Sequence, residues 1–172
     1  MLKTNPESGP QFQYYSIKTD PSVFGGFKDL VKAYQDKSAE LCLFDSEFEI
    51  PSWEDFTIRD FEGWYPYMAR SNAAATRDDV VFRYFGTSLV QLHGADFTGK
   101  SFEQIARPEM LALVKKHWKH FFTEPKISIG KTKAIIGHNI TMVLDILHLP
   151  LSDRCGHFSH VIHFAHKSDL PF

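Results

Sequence analysis

From Phe27 onward the apolar residues Phe27, Leu30, Val31, Tyr34, Leu41 and Cys42 recur on one helical stripe, with Lys28, Asp29, Lys32, Gln35 and Asp36 opposite them. That spacing predicts an amphipathic helix ending near Phe44. The first twenty residues show no sustained period, contain Pro6, Gly9 and Pro10, and read as a loosely held tail. Pro51 interrupts the helical pattern. Ser52 followed by Trp53, Glu54 and Asp55 has the order of an N-cap with acidic first-turn residues, which predicts a second, shorter helix. Asp60 opens a further helical turn through Phe61, Trp64, Tyr65 and Met68, kinked or ended by Pro66.

Beyond residue 70 the period changes. Residues 72–76 and 80–85, separated by Asp78 and Asp79, predict a β-hairpin whose second strand is β-branched and aromatic. Residues 87–93 and 101–105 predict short helices set apart by Gly94 and Gly99, and 108–122 a full helix with proline in its first turn. Three strands follow at 126–135, 140–151 and 157–166, joined by Gly137-His138-Asn139 and Asp153-Arg154-Cys155-Gly156. Burial suggests the register of the last pair. With Leu151 opposite His157, Ile146 faces Ile162 and Leu144 faces Phe164, whereas a one-residue slip sets Asp145 against Phe164. This register gathers Leu144, Ile146, His148, His160, Ile162 and Phe164 on one apolar face and brings Asp145 opposite His163 on the other.

Helices packed on an antiparallel sheet make an α+β domain. Within it, Phe82-Arg83-Tyr84-Phe85-Gly86-Thr87, then Gly94-Ala95-Asp96-Phe97-Thr98-Gly99-Lys100, then Leu149-Pro150-Leu151-Ser152 follow in an order that resembles PAS domains, in particular the bacterial single-domain PAS_5 type, over about residues 50–166. The resemblance implies a PAS-like five-stranded antiparallel sheet with short helices on one face and an N-terminal amphipathic helix. The corresponding division is a flexible tail at 1–20, the N-terminal helix at 21–50 and the PAS-like domain at 51–172. It also implies a cavity between sheet and helices and a sensory role through a small molecule or protein partners in signal transduction. It carries over no catalytic residue, no ligand and no cofactor.

Composition narrows the function classes. Nineteen Lys plus Arg against 21 Asp plus Glu give a net charge of −2, so no global field draws the chain to nucleic acid or anionic lipid. No apolar run approaches the ~20 residues that span a bilayer, and the polar N-terminus has no apolar core of a leader, so a soluble cytoplasmic chain is expected. Cys42 and Cys155 are far apart, outside any CxxC pair, and read as reduced bystanders. The glycines match neither GxGxxG nor GxxxxGK[ST], which excludes a phosphate loop.

Aromatic residues reach 15%, enough to line a cavity as well as fill a core. Strand parity assigns the candidate ligand pocket to Phe82, Tyr84, Leu144, Ile146, His148, His160, Ile162 and Phe164. The helical stripe of Phe27, Leu30, Val31, Tyr34 and Leu41 is the candidate homodimer interface, since its exposure would leave a large apolar patch. His157, His160, His163 and His166 recur every third residue, so successive members point to opposite faces of a strand and do not converge on one metal ion. His117 and His120, among Lys115, Lys116 and Lys119, read as a solvated basic face over an aromatic stripe. The leading expectation is a non-catalytic sensory module. The alternatives are a small isomerase- or dehydratase-like enzyme using Asp145 and His163, and a pure dimerisation scaffold.

Overall fold

The computed structural model describes residues 10–41, 50–136 and 140–168. Cys42 to Phe44 and the Gly137-His138-Asn139 turn lie outside the described residues. Strand β1 (Gln11–Tyr15) is followed by a 3-10 segment at Pro21–Phe27 and helix α1 (Lys28–Leu41). Strands β2 (Met68–Ala73) and β3 (Val80–Phe85) form a hairpin, and helices α2 (Thr87–His93), α3 (Phe102–Ile105) and α4 (Pro108–Phe121) come next. Strands β4 (Ile127–Ile136), β5 (Ile140–Ser152) and β6 (Phe158–Lys167) are the last elements among the described residues. All six strands join one antiparallel sheet in the order β1-β4-β5-β6-β2-β3. The run from β4 to β3 is a five-stranded antiparallel sheet, the strand count that the resemblance implies. The sheet has six strands rather than five because β1, in the segment read as a tail, adds to the free edge of β4.

Helices cover both faces of the sheet. On the outer face α1 and the segment before it bury Phe24, Phe27, Leu30, Val31 and Tyr34 against Leu147, Leu149, Leu151, Ile162 and Phe164. On the inner face α4 lays Val114, Trp118, Phe121 and Phe122 over Ala69, Phe82 and Val161. Burial of side chains this large contributes roughly 1.5–3 kcal/mol each before entropy is subtracted. Pro150 sits in β5, an interior strand, where a missing N–H would ordinarily break a ladder. Pairing with β4 ends two residues earlier at Ser128–His148, and the Pro150 carbonyl instead accepts a 2.8 Å hydrogen bond from the buried Tyr34 hydroxyl of α1.

Several local expectations change. The Ser52–Asp55 segment closes a single 3-10 turn at Trp53–Asp55 through a capping box and goes no further. Pro66 lies within another 3-10 turn at Tyr65–Tyr67, and Met68, expected in a helix, opens β2. Gly86, in the FRYFGT motif, has an ordinary φ. It is required because a Cβ there would lie 2.5 Å from the Tyr65 and Pro66 carbonyl oxygens.

The register of β5 against β6 differs from the expectation by three residues: Leu151 pairs with His160, Ile162 with Leu149 and Phe164 with Leu147. Two steps account for it. The turn lies one residue further along both strands, with Ser152 opposite Phe158, a displacement that leaves the faces unchanged. An irregularity between Leu151 and Ser152 then leaves Ser159 unpaired and exchanges the faces of everything beyond it.

Candidate functional site

One row of paired residues crosses the whole sheet: Tyr14, Ser128, His148, His163, Ala69 and Phe85, one from each strand. It faces α4, whose positions Val114, His117, Trp118 and Phe121 recur at the i, i+3, i+4, i+7 spacing of a buried stripe. His117 therefore points into the domain and not to solvent, contrary to the basic-face reading, with only 5% of its surface exposed. Tyr14 Oη lies 2.7 Å from His117 Nδ1, and His117 Nε2 lies 3.1 Å from His148 Nδ1. His163 Nε2 lies 2.5 Å from Ser71 Oγ. Phe12 stacks on the His117 ring at 3.8 Å, Trp118 lies 4.9 Å from the His148 ring and 5.4 Å from that of His163, and Phe82 closes the side next to His163.

Phe12 and Tyr14 come from β1. Phe12 reaches α4 because its partner on β4 is Gly130, where a Cβ would lie 2.4 Å from the Phe12 ring and 2.5 Å from the Gln11 carbonyl oxygen. The tail thus supplies two walls of the site. The polar–aromatic alternation Gln11-Phe12-Gln13-Tyr14 was the signal for it.

The electrostatics of this interior are those of neutral hydrogen-bonding groups. Burial pushes His117 and His163 down to about 3 from the usual 6.5 and holds His148 well below it, and the neighbouring imidazoles depress His117 and His148 further. Burial likewise raises the Tyr14 hydroxyl to about 12. At neutral pH the row is uncharged, and each imidazole offers one donor and one acceptor. The Tyr14–His117–His148 chain can be satisfied in either direction, with the two tautomers of His117 exchanging roles. Two buried polar atoms among these residues have no partner, Trp118 Nε1 and Ser128 Oγ. Each costs about 1–3 kcal/mol while unsatisfied.

Of the eight pocket residues expected from strand parity, Phe82 and His148 belong to this site, and Leu144 and Ile146 lie on the same face of β5. Ile162 and Phe164 are buried on the outer face under α1. His160 is on that face as well, in an open cleft, as the bulge at Ser159 dictates. Tyr84 leaves the face of Phe82 because a second bulge places Arg83 between them, and its hydroxyl donates to the Tyr65 carbonyl. The Asp145–His163 pair does not form. Asp145 lies opposite His166 and its carboxylate is bound by Lys131 at 2.6 Å, while His163 is opposite His148 on the other face. The enzyme reading built on that dyad is thereby removed.

The candidate dimer stripe is also reassigned. Phe27, Leu30, Val31 and Tyr34 are at most 2% exposed because the chain's own sheet covers them, and Leu41 is half-buried. Among the described residues, Asp153, Cys155 and His157 are the group that brings three potential metal-ligating atoms within 4.8 Å of one another. They sit in the exposed β5–β6 turn, where Asp153 Oδ1 accepts hydrogen bonds from the backbone N–H groups of Cys155 and His157.

No family model matches the sequence, and no curated protein matches it. Among solved structures the chain is similar to one described as an RNA-binding light-oxygen-voltage receptor, with a TM-score of 0.42 and 12% identity over 59% of this chain. The matched part is 29% of that receptor's chain. No helix among the described residues is long and apolar enough to cross a membrane.

Proposed function

We propose that the chain is a non-catalytic sensory module of the PAS type that holds a small, uncharged, polar molecule between α4 and the Tyr14–Ser128–His148–His163 row, and passes its state to protein partners. The observation that carries this reading is the pair of orphaned polar atoms, Trp118 Nε1 and Ser128 Oγ, inside an aromatic interior that already holds three neutral histidines. Buried polar groups in native domains are almost always satisfied. A neutral molecule with one acceptor and one donor would supply what the indole N–H and the serine hydroxyl lack. A charged ligand is disfavoured there, because among the described residues no carboxylate, lysine or arginine contributes to the shifts of His117, His148 or His163.

The test is native mass spectrometry of the full chain purified without denaturation. We expect a small molecule bound at one per chain, retained in Arg107→Gln and lost in Ser128→Val, which fills the orphaned position with a methyl group. A bare mass for the parent chain, or an adduct that survives both Ser128→Val and His148→Phe, would contradict the reading.

A further inference from the structure

The outer face of the sheet carries a second site that the sensory reading does not use. Arg70 and Asn72 of β2 project beside Ile162 and His160 of β6, and the bulge in β3 brings Arg83 to the same place. Together with Trp53, Ser152 and the β5–β6 turn they line an open cleft of about 620 Å³. Clefts of this size suit small ligands. The Arg70 guanidinium lies over the Trp53 ring at 4.9 Å, and its Nε is buried with no hydrogen-bond partner. Among the described residues no carboxylate lies within 4 Å of Arg70 or Arg83.

Two acidic residues share the cleft, and both have partners within its own lining or turn. Glu54 is 3.3 Å from Arg154, and Asp153 accepts the backbone N–H groups of its own turn. Burial lowers the Arg70 pKa, the Glu54 carboxylate opposes this, and the Arg83 charge adds a smaller lowering, so the two guanidiniums feel one another across the cleft. Arginine pairs left in this state recognise oxyanions by charge-assisted, often bidentate hydrogen bonds.

We infer that this outer-face cleft, built on Arg70 and Arg83, binds a small organic oxyanion carrying at least two negative charges, a phosphoryl or polycarboxylate compound. The guanidinium of Arg70, over Trp53, forms the floor, and Arg83 meets the ligand from the rim. Asn72 and Ser152 add neutral polar groups beside it. The site is separate from the α4 interior, so it stands or falls independently of the ligand proposed there.

Isothermal titration calorimetry of the full chain at constant ionic strength tests it, with inorganic pyrophosphate and citrate as the two probes. At least one is expected to bind at one per chain with a Kd below about 1 mM, and whichever binds identifies the phosphoryl or the carboxylate class. Arg83→Gln and Arg70→Gln should each weaken that probe about tenfold or more, while Arg107→Gln, outside the cleft, leaves it unchanged. Arg83 is exposed, so its substitution does not threaten the fold. No saturable binding of either probe, or an equal loss in Arg107→Gln, overturns the inference.

Discussion

Lowering the pH from 7 to 5 is expected to destabilise the domain steeply, at a slope approaching about 4 kcal/mol per pH unit below pH 6. His117, His148 and His163 stay neutral in the folded chain because burial holds His117 and His163 at about 3 and His148 well below its ordinary value, whereas in the unfolded chain they protonate around 6.5. The unfolded state then binds three more protons than the folded one. Each contributes about 1.4 kcal/mol per pH unit, so stability is full above pH 6.5 and is lost as the pH falls toward 3. For a domain of about 5–15 kcal/mol the loss is enough to unfold it near pH 4. Urea unfolding followed at intervals between pH 8 and 5 reads this directly. The curve should be flat above pH 7, and His148→Phe should reduce the slope by about one third. A stability that does not change between pH 7 and 5 would show that these imidazoles are not buried as described.

Gly130→Val should detach β1 and cost about 3–5 kcal/mol. A side chain at residue 130 meets the Phe12 ring at 2.4 Å and the Gln11 carbonyl at 2.5 Å, and one of these is backbone, so the strand itself must move. The loss combines Phe12 packed on His117, the Tyr14–His117 hydrogen bond and the five-residue pairing with β4. Hydrogen exchange should show protection of Gln11–Tyr15 lost while β5 and β6 stay protected. Uncovering His117 returns its pKa toward the ordinary range, so the acid slope of this variant should also fall by about one proton. Full protection of Gln11–Tyr15 in Gly130→Val would contradict the close approach.

Most elements could be read from the sequence because their local signals agree with their tertiary setting. The α4 helix starts at Pro108 in its first turn, β3 is a β-branched and aromatic run, and the β5–β6 turn is marked by Asp153 and by Gly156 with its φ of 82°. The faces were harder to read. Residues 140–151 are apolar at odd and even positions because helices cover both sides of the sheet, so Leu147, Leu149 and Leu151 make as good an inner face on paper as Leu144, Ile146 and His148. Bulges at Ser159 and Arg83 then reversed the assignment of half the pocket.

His148 and Phe82 were reachable from parity alone. His117 was not, because its lysine neighbours suggested solvent, although its spacing from Val114, Trp118 and Phe121 marks the buried stripe. The outer cleft had no period to reveal it, since Arg70, Arg83 and Arg154 come from three separate segments joined only by strand pairing and a turn. A short amphipathic stripe such as that of α1 also does not state whether a sheet of its own chain or a second copy covers it. Here it is the sheet.

Histidine-selective NMR across a pH titration of the folded chain tests most directly that the site is a buried, neutral, connected row. The side-chain signals of His117, His148 and His163 should keep the shifts of neutral imidazole from pH 8 down to the onset of unfolding. A signal from any of the three that titrates near pH 6.5 while the domain remains folded would place that ring in water and contradict the site.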